Sequence, residues 1–162
     1  MNWLIRHFQR YRQRKPWAFC WRISIEGLLV SFLCALILAL LFPELDREFP
    51  DWDMGTIFLI VVLIGPVVET LLFQALPIFV ARKFNAPFVW QIVISMVIFT
   101  SLHFLEGIPT GIAAGLVGGF YFAFTYAHWR EKSRWTAFWV TAISHAFNNA
   151  IAFALLALSG EL

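Results

Sequence analysis

The stretch GPVVETLLFQ, residues 65–74, decides how this chain is read. It sets a carboxylate, Glu69, inside the longest apolar segment of the sequence, with IFLIVVLI before it and ALPIFV after it. An ionisable group at that depth costs on the order of 2.5–3.5 kcal/mol on insertion scales, so it calls for a partner or a task. The same stretch carries Pro66, which has no N–H. In an α-helix that frees the carbonyl four residues back, at Val62, close to Glu69.

Outward from this segment the chain is apolar throughout. Of its 162 residues, 60% are hydrophobic and 14% are charged. An ordinary soluble domain has roughly 45–50% and 25%. Hydropathy gives five spans, near 23–42, 55–81, 88–105, 109–127 and 136–158, joined by short connections. The fold class is therefore all-α: a polytopic membrane protein with one transmembrane domain, 23–162, after a basic segment, 1–22. Residues 2–14 read as an interfacial amphipathic helix with Trp3, Leu4, His7, Phe8 and Tyr11 on one face, ended by Pro16. Trp17, Trp21, Trp52, Trp90, Trp129 and Trp135 fall near span ends, where aromatic belts form. So little chain lies outside the membrane that no nucleic-acid module is expected. Cys20 and Cys34 read as apolar filler. The first apolar run exceeds a signal-peptide core, and the Arg-rich start lacks the serines of a mitochondrial presequence.

Charge sets the orientation. The segments 1–22, 82–87 and 128–135 hold eleven of the twelve basic residues, and only Arg47 falls on the other side. By the positive-inside rule the N-terminus is inside and the C-terminus outside. The segment between the first two spans is acidic instead, with Glu44, Asp46, Glu48, Asp51 and Asp53.

The polar residues that hydropathy leaves unexplained are Glu69 and Gln74 in the second span, His103 in the third, and His145, Asn148 and Asn149 in the fifth. At 1.5 Å per residue, Glu69, His103 and His145 lie about 20, 22 and 16 Å from the inner boundary. Three helices thus carry polar groups to a similar depth. His145 and Asn149, Phe99 and His103, and Thr70 and Gln74 each stand four apart, on one helical face. Gly111, Gly115 and Gly119 form a small-residue ridge on the fourth span, read as packing.

Several chemistries are excluded. No aspartate lies within a span, and neither HExxH nor GxSxG occurs. Ser101 and Ser144 do not share a helical face with their neighbouring region's histidines. A desolvated glutamate is a stronger base for water. Imidazole and carboxamide N–H groups can bind an oxyanion. The same Glu69, His103 and His145 would also suit an open three-ligand zinc site. Residue types alone leave both open. A non-catalytic scaffold and a proton-coupled carrier using Glu69 are further readings.

The segments ETLLFQ (69–74), FTSLH (99–103) and HAFNN (145–149) resemble, in order, the EExxxR, FxxxH and HxxxN motifs of the CAAX protease and bacteriocin-processing (CPBP, or Abi) family of intramembrane endopeptidases. The resemblance implies metal-free peptide-bond hydrolysis, without a cofactor, in a bacterial cytoplasmic membrane. It implies Glu69 as the base that activates water, His103 as the residue that positions it, and His145 with Asn149 as the oxyanion donors. Thr70, Gln74 and Phe99 would support the cavity. The partners implied are the bilayer and a peptide or lipidated protein substrate, and a bacteriocin-immunity role is the non-catalytic counterpart. Thr70 and Gln74 depart from the motif's second glutamate and arginine; a neutral Thr–Gln pair would keep a local hydrogen bond without a buried ion pair.

The orientation is checked with a reporter active only outside the membrane. Fused after Asp51 it gives signal, and fused after Lys83 it gives none; the opposite pattern rejects an internal N-terminus.

Overall fold

The computed structural model describes residues 8, 10, 11, 14–45 and 52–160. The expected interfacial helix over 2–14 lies largely outside them. Five helices are long and apolar enough to cross a membrane: α1 (Pro16–Leu41), α2 (Met54–Lys83), α3 (Phe88–Glu106), α4 (Ile108–Arg130) and α5 (Arg134–Ser159). Their positions match the hydropathy reading except at the start of α1. Pro16 opens that helix where it was expected to close the preceding one. Proline suits the first helical turn, whose N–H groups have no intrahelical partner.

α4 is the centre of the bundle. Of its most apolar window 56% is buried, against 22–28% for the other four. Its glycine ridge explains why. A Cβ on Gly111 would fall 2.2 Å from the Phe104 ring, one on Gly115 would fall 2.8 Å from Cβ of His103, and one on Gly119 would fall 3.1 Å from the Phe99 ring. Three glycines thus receive three residues of α3, and the helices close further through Thr100, whose hydroxyl donates to the Gly115 carbonyl at 3.0 Å. Gly107, at φ 109°, makes the sharp reversal between α3 and α4, a conformation that disfavours any side chain. Ser31 of α1 donates to Ala113 O (2.6 Å), and Ser95 of α3 donates to Phe73 O (2.6 Å). These small hydroxyls satisfy themselves across helices, as an apolar solvent requires.

α2 does not keep one hydrogen-bond register. It is π-helical over Phe58–Ile64 and Thr70–Ala75. The N–H of Gly65 bonds to Ile60 O, five residues back. The next residue is Pro66, so in this register the orphaned carbonyl is Val61, not the Val62 expected from α-helical spacing. Asn149 of α5 supplies the missing donor: its Nδ2 reaches Val61 O at 2.8 Å. Asp53 caps the start of α2, with its carboxylate accepting from the hydroxyl and N–H of Thr56. Those bonds hold its carboxyl below the usual range.

At the other end an aromatic core joins Phe8, Phe19, Phe124, His128 and Trp129. Trp129 is 3% exposed, so it belongs to this core and not to an interfacial belt. Trp17, Trp21, Trp52, Trp90 and Trp135 are exposed as expected. Glu26 of α1 accepts from Tyr11 Oη (2.6 Å) and Tyr121 Oη (2.9 Å). Burial, with the Glu26 hydrogen bond, pushes the Tyr11 phenol up. Cys20 is more than filler, since its Sγ lies 3.1 Å from Ser144 Oγ. On the exposed turns Arg82 pairs with Glu131.

Gly115→Ala must part α3 from α4 at His103, because the obstructing atom is a Cβ that cannot swing away. Overpacking of this kind costs about 1–3 kcal/mol. A thermal melt in detergent is expected to show that loss, and an unchanged midpoint would refute the close approach.

Candidate active site

Glu69 stands midway along α2, with its side chain 29% exposed. Gly65, one turn earlier, makes room for it: a Cβ there would lie 3.2 Å from Glu69 Oε1. Oε2 faces His145 Nε2 at 3.7 Å, and the His145 side chain is 3% exposed. That separation is longer than a hydrogen bond, so neither group is consumed by the other. Phe122 stacks on His145 with ring centroids 4.2 Å apart, and Phe99 meets it edge-on at 5.7 Å. Gly118 leaves space for the Phe122 ring one turn on.

Phe99 also stacks on His103, at 4.2 Å. His103 Nδ1 lies 3.0 Å from Phe99 O. A carbonyl only accepts, so Nδ1 carries the hydrogen, and Nε2 of the neutral ring is left as an acceptor. Glu69 lies within electrostatic reach of both His103 and Glu106. Asn149 stands one turn beyond His145 on α5. One of its amide hydrogens is committed to Val61 O, and the second remains for a ligand.

The fold therefore sets His145 opposite Glu69 and packs Phe99 against both imidazoles, while Asn149, one turn further along α5, is bonded to Val61 O. Thr70 and Gln74 are fully buried, but the hydrogen bond expected between them is not formed: Thr70 Oγ1 and both amide atoms of Gln74 lack partners among the described residues. No three His, Cys, Asp or Glu side chains among the described residues are grouped to hold a metal, Glu69, His103 and His145 included.

Residues 51–151 match the family model described as type II CAAX prenyl endopeptidase Rce1-like. The match covers more than half of the chain and includes Glu69, His103, His145 and Asn149. The chain belongs to the Rce1-like family. No curated protein and no solved structure matches it significantly. The Rce1-like match takes in α2, α3, α4 and most of α5, while α1 and its Glu26 precede it.

Sequence reading missed Phe122, Glu26 and Glu106. Glu106 stands three residues after His103 and was findable by helical spacing. Glu26 lies inside the first hydropathy span, where its acidity alone was the signal. Phe122 is one aromatic among many, and only packing singles it out.

Asn149→Leu leaves Val61 O without a donor, at a cost on the order of 1–3 kcal/mol. Adding Pro66→Ala restores an N–H on α2 that can reach the same carbonyl. The double variant is expected to melt above Asn149→Leu alone; simple addition of two destabilising effects would contradict the π-register account.

Proposed function

We propose that this chain is an intramembrane endopeptidase that acts on a membrane-associated, prenylated-type peptide through a water activated by Glu69. The observation that carries the reading is the facing of Glu69 Oε2 and His145 Nε2 at 3.7 Å, with Glu69 also within electrostatic reach of His103 and with Asn149 one turn beyond His145 on α5. Membership of the Rce1-like family supports the reaction class.

The steps follow from the groups present. Water enters between Glu69 and His103, whose Nε2 accepts one of its hydrogens. Glu69 takes the other proton as the water oxygen adds to the scissile carbonyl. The developing oxyanion is held by the His145 Nε2–H and the spare N–H of Asn149. The C–N bond then breaks as Glu69 returns its proton to the leaving nitrogen. The apolar walls from Phe99 and Phe122 exclude bulk water and strengthen each of these interactions.

The test uses full-length protein in proteoliposomes with prenylated and unprenylated peptides. Cleavage is expected for the prenylated peptide, to persist with a chelator, and to fall about 10²–10⁴-fold in Glu69→Gln. No cleavage by the native protein, with the fold intact, would favour a non-catalytic scaffold. Stoichiometric metal that is lost in His103→Ala would reject the metal-free steps.

A further inference from the structure

We propose that Gln74, Thr125 and Thr141 enclose bound water one helical turn inward of the Glu69–His145 pair, and that this water donates a hydrogen bond to His145 Nδ1. Its catalytic consequence rests on reading His145 as an oxyanion donor; the water site itself does not.

Two contacts set the level of the site. Glu69 of α2 faces His145 of α5, and Phe122 of α4 stacks on the same ring. One turn inward on α5 is Thr141, and on α4 it is Thr125 or its neighbour. On α2 the stretch Thr70–Ala75 is π-helical, where hydrogen bonds span five residues, and one such span leads from Glu69 to Gln74. Both α4 and α5 pack against that stretch. Three helices thus deliver a carboxamide and two hydroxyls to one layer.

All three residues are completely buried. Gln74 Nε2 and Oε1, Thr125 Oγ1, Thr141 Oγ1 and His145 Nδ1 have no hydrogen-bond partner among the described residues. A helical hydroxyl ordinarily bonds back to the carbonyl four residues earlier, as Ser101 does to Val97 O at 2.8 Å. Thr125 and Thr141 do not take that route. Ser95, at the same depth on α3, is already bonded to Phe73 O. Inward of the layer, Ile78, Ile92 and Ala137 belong to the apolar core and close it. Buried donors and acceptors left unpaired by side chains or backbone are the groups that internal water bonds in proteins. In the family pattern positions 70 and 74 carry an acid and an arginine; here water takes up the polarity that the neutral Thr70 and Gln74 leave unpaired.

The placement matters because His145 has two ring nitrogens. Nε2 faces the Glu69 carboxylate at 3.7 Å, beyond hydrogen-bond length, and the tautomer with the hydrogen on Nε2 is the one that its negative charge favours. Nδ1 is then an acceptor and needs a donor. Water held by Thr141 and Gln74 supplies it and locks the tautomer that keeps Nε2–H aimed into the site. Gln74, Thr125 and Thr141 are thereby positioning residues.

The experiment is nitrogen NMR on full-length protein in lipid nanodiscs with ring-labelled histidine, the His145 signals being those lost in His145→Asn. Native protein is expected to show Nε2–H, an Nδ1 that accepts a hydrogen bond, and transfer from a long-lived water to the His145 ring. Thr141→Val and Gln74→Met should each abolish the transfer and move Nδ1 to the position of an unbonded acceptor. Thr141→Ser should retain both signals, and Ser95→Ala should leave them unchanged. A protonated Nδ1, or a bonded Nδ1 with no water transfer in the native protein, overturns the proposal, the latter because the side chains would then bond one another directly. These readouts need no peptide cleavage, so a protein that proves inactive can still show the water site. In an active one, Thr141→Val should lower kcat with KM unchanged.

Discussion

Pro66 has no N–H, and in a bilayer the carbonyl that it leaves unbonded must find a donor inside the protein. That requirement organises the site. The π register of Phe58–Ile64 makes Val61 the orphan, and Asn149 meets it at 2.8 Å. The bond ties α5 to α2 at one register, and four residues earlier on α5 His145 comes opposite Glu69. A residue that reads as a donor for catalysis is therefore also a structural fastener. The two uses are compatible because a carboxamide has two hydrogens to give.

α4 supplies the other half of the constraint. A bilayer provides no hydrophobic drive to press helices together, so close packing must come from small residues. Gly111, Gly115 and Gly119 accept Phe104, His103 and Phe99 in turn. The ridge was read as packing with no chemical role, and it is packing, but what it packs is the imidazole and the aromatic ring at the centre of the site. Ring contacts among Phe99, His103, Phe122 and His145 then orient both imidazoles, and His103 is fixed further by its Nδ1 bond to Phe99 O.

The carboxylates of Glu69 and Glu26 both lie within membrane-spanning helices. Glu69 stands midway along α2 opposite His145, whereas Glu26 is held by Tyr11 and Tyr121 on the side of the N-terminal segment. Both carboxylates face groups from distant parts of the chain. The difference between them is that phenol hydrogens occupy both oxygens of Glu26, while Glu69 Oε2 has only an imidazole beyond hydrogen-bond length. Of the two, Glu69 is the carboxylate with an oxygen that has no hydrogen-bond partner among the described residues.

Composition and periodicity alone determined the five spans, the all-α class and the three polar positions at matching depth, because hydropathy and helical rise are local properties of the chain. The motif order, read from residues 69 to 149, led to the family that the match over 51–151 shows. Local rules failed where a neighbour decides. The freed carbonyl moved from Val62 to Val61 because the helix is π there. Trp129 left the interface for the core because Phe19 covers it. Thr70 and Gln74 stand four apart yet do not bond, since their stretch of helix is wound differently. Tertiary packing alone chose which side of each helix faces the others, and hence that Glu69 meets His145, because in an apolar solvent that choice is made by the fit of small residues and by unpaired polar groups finding one another across the bundle.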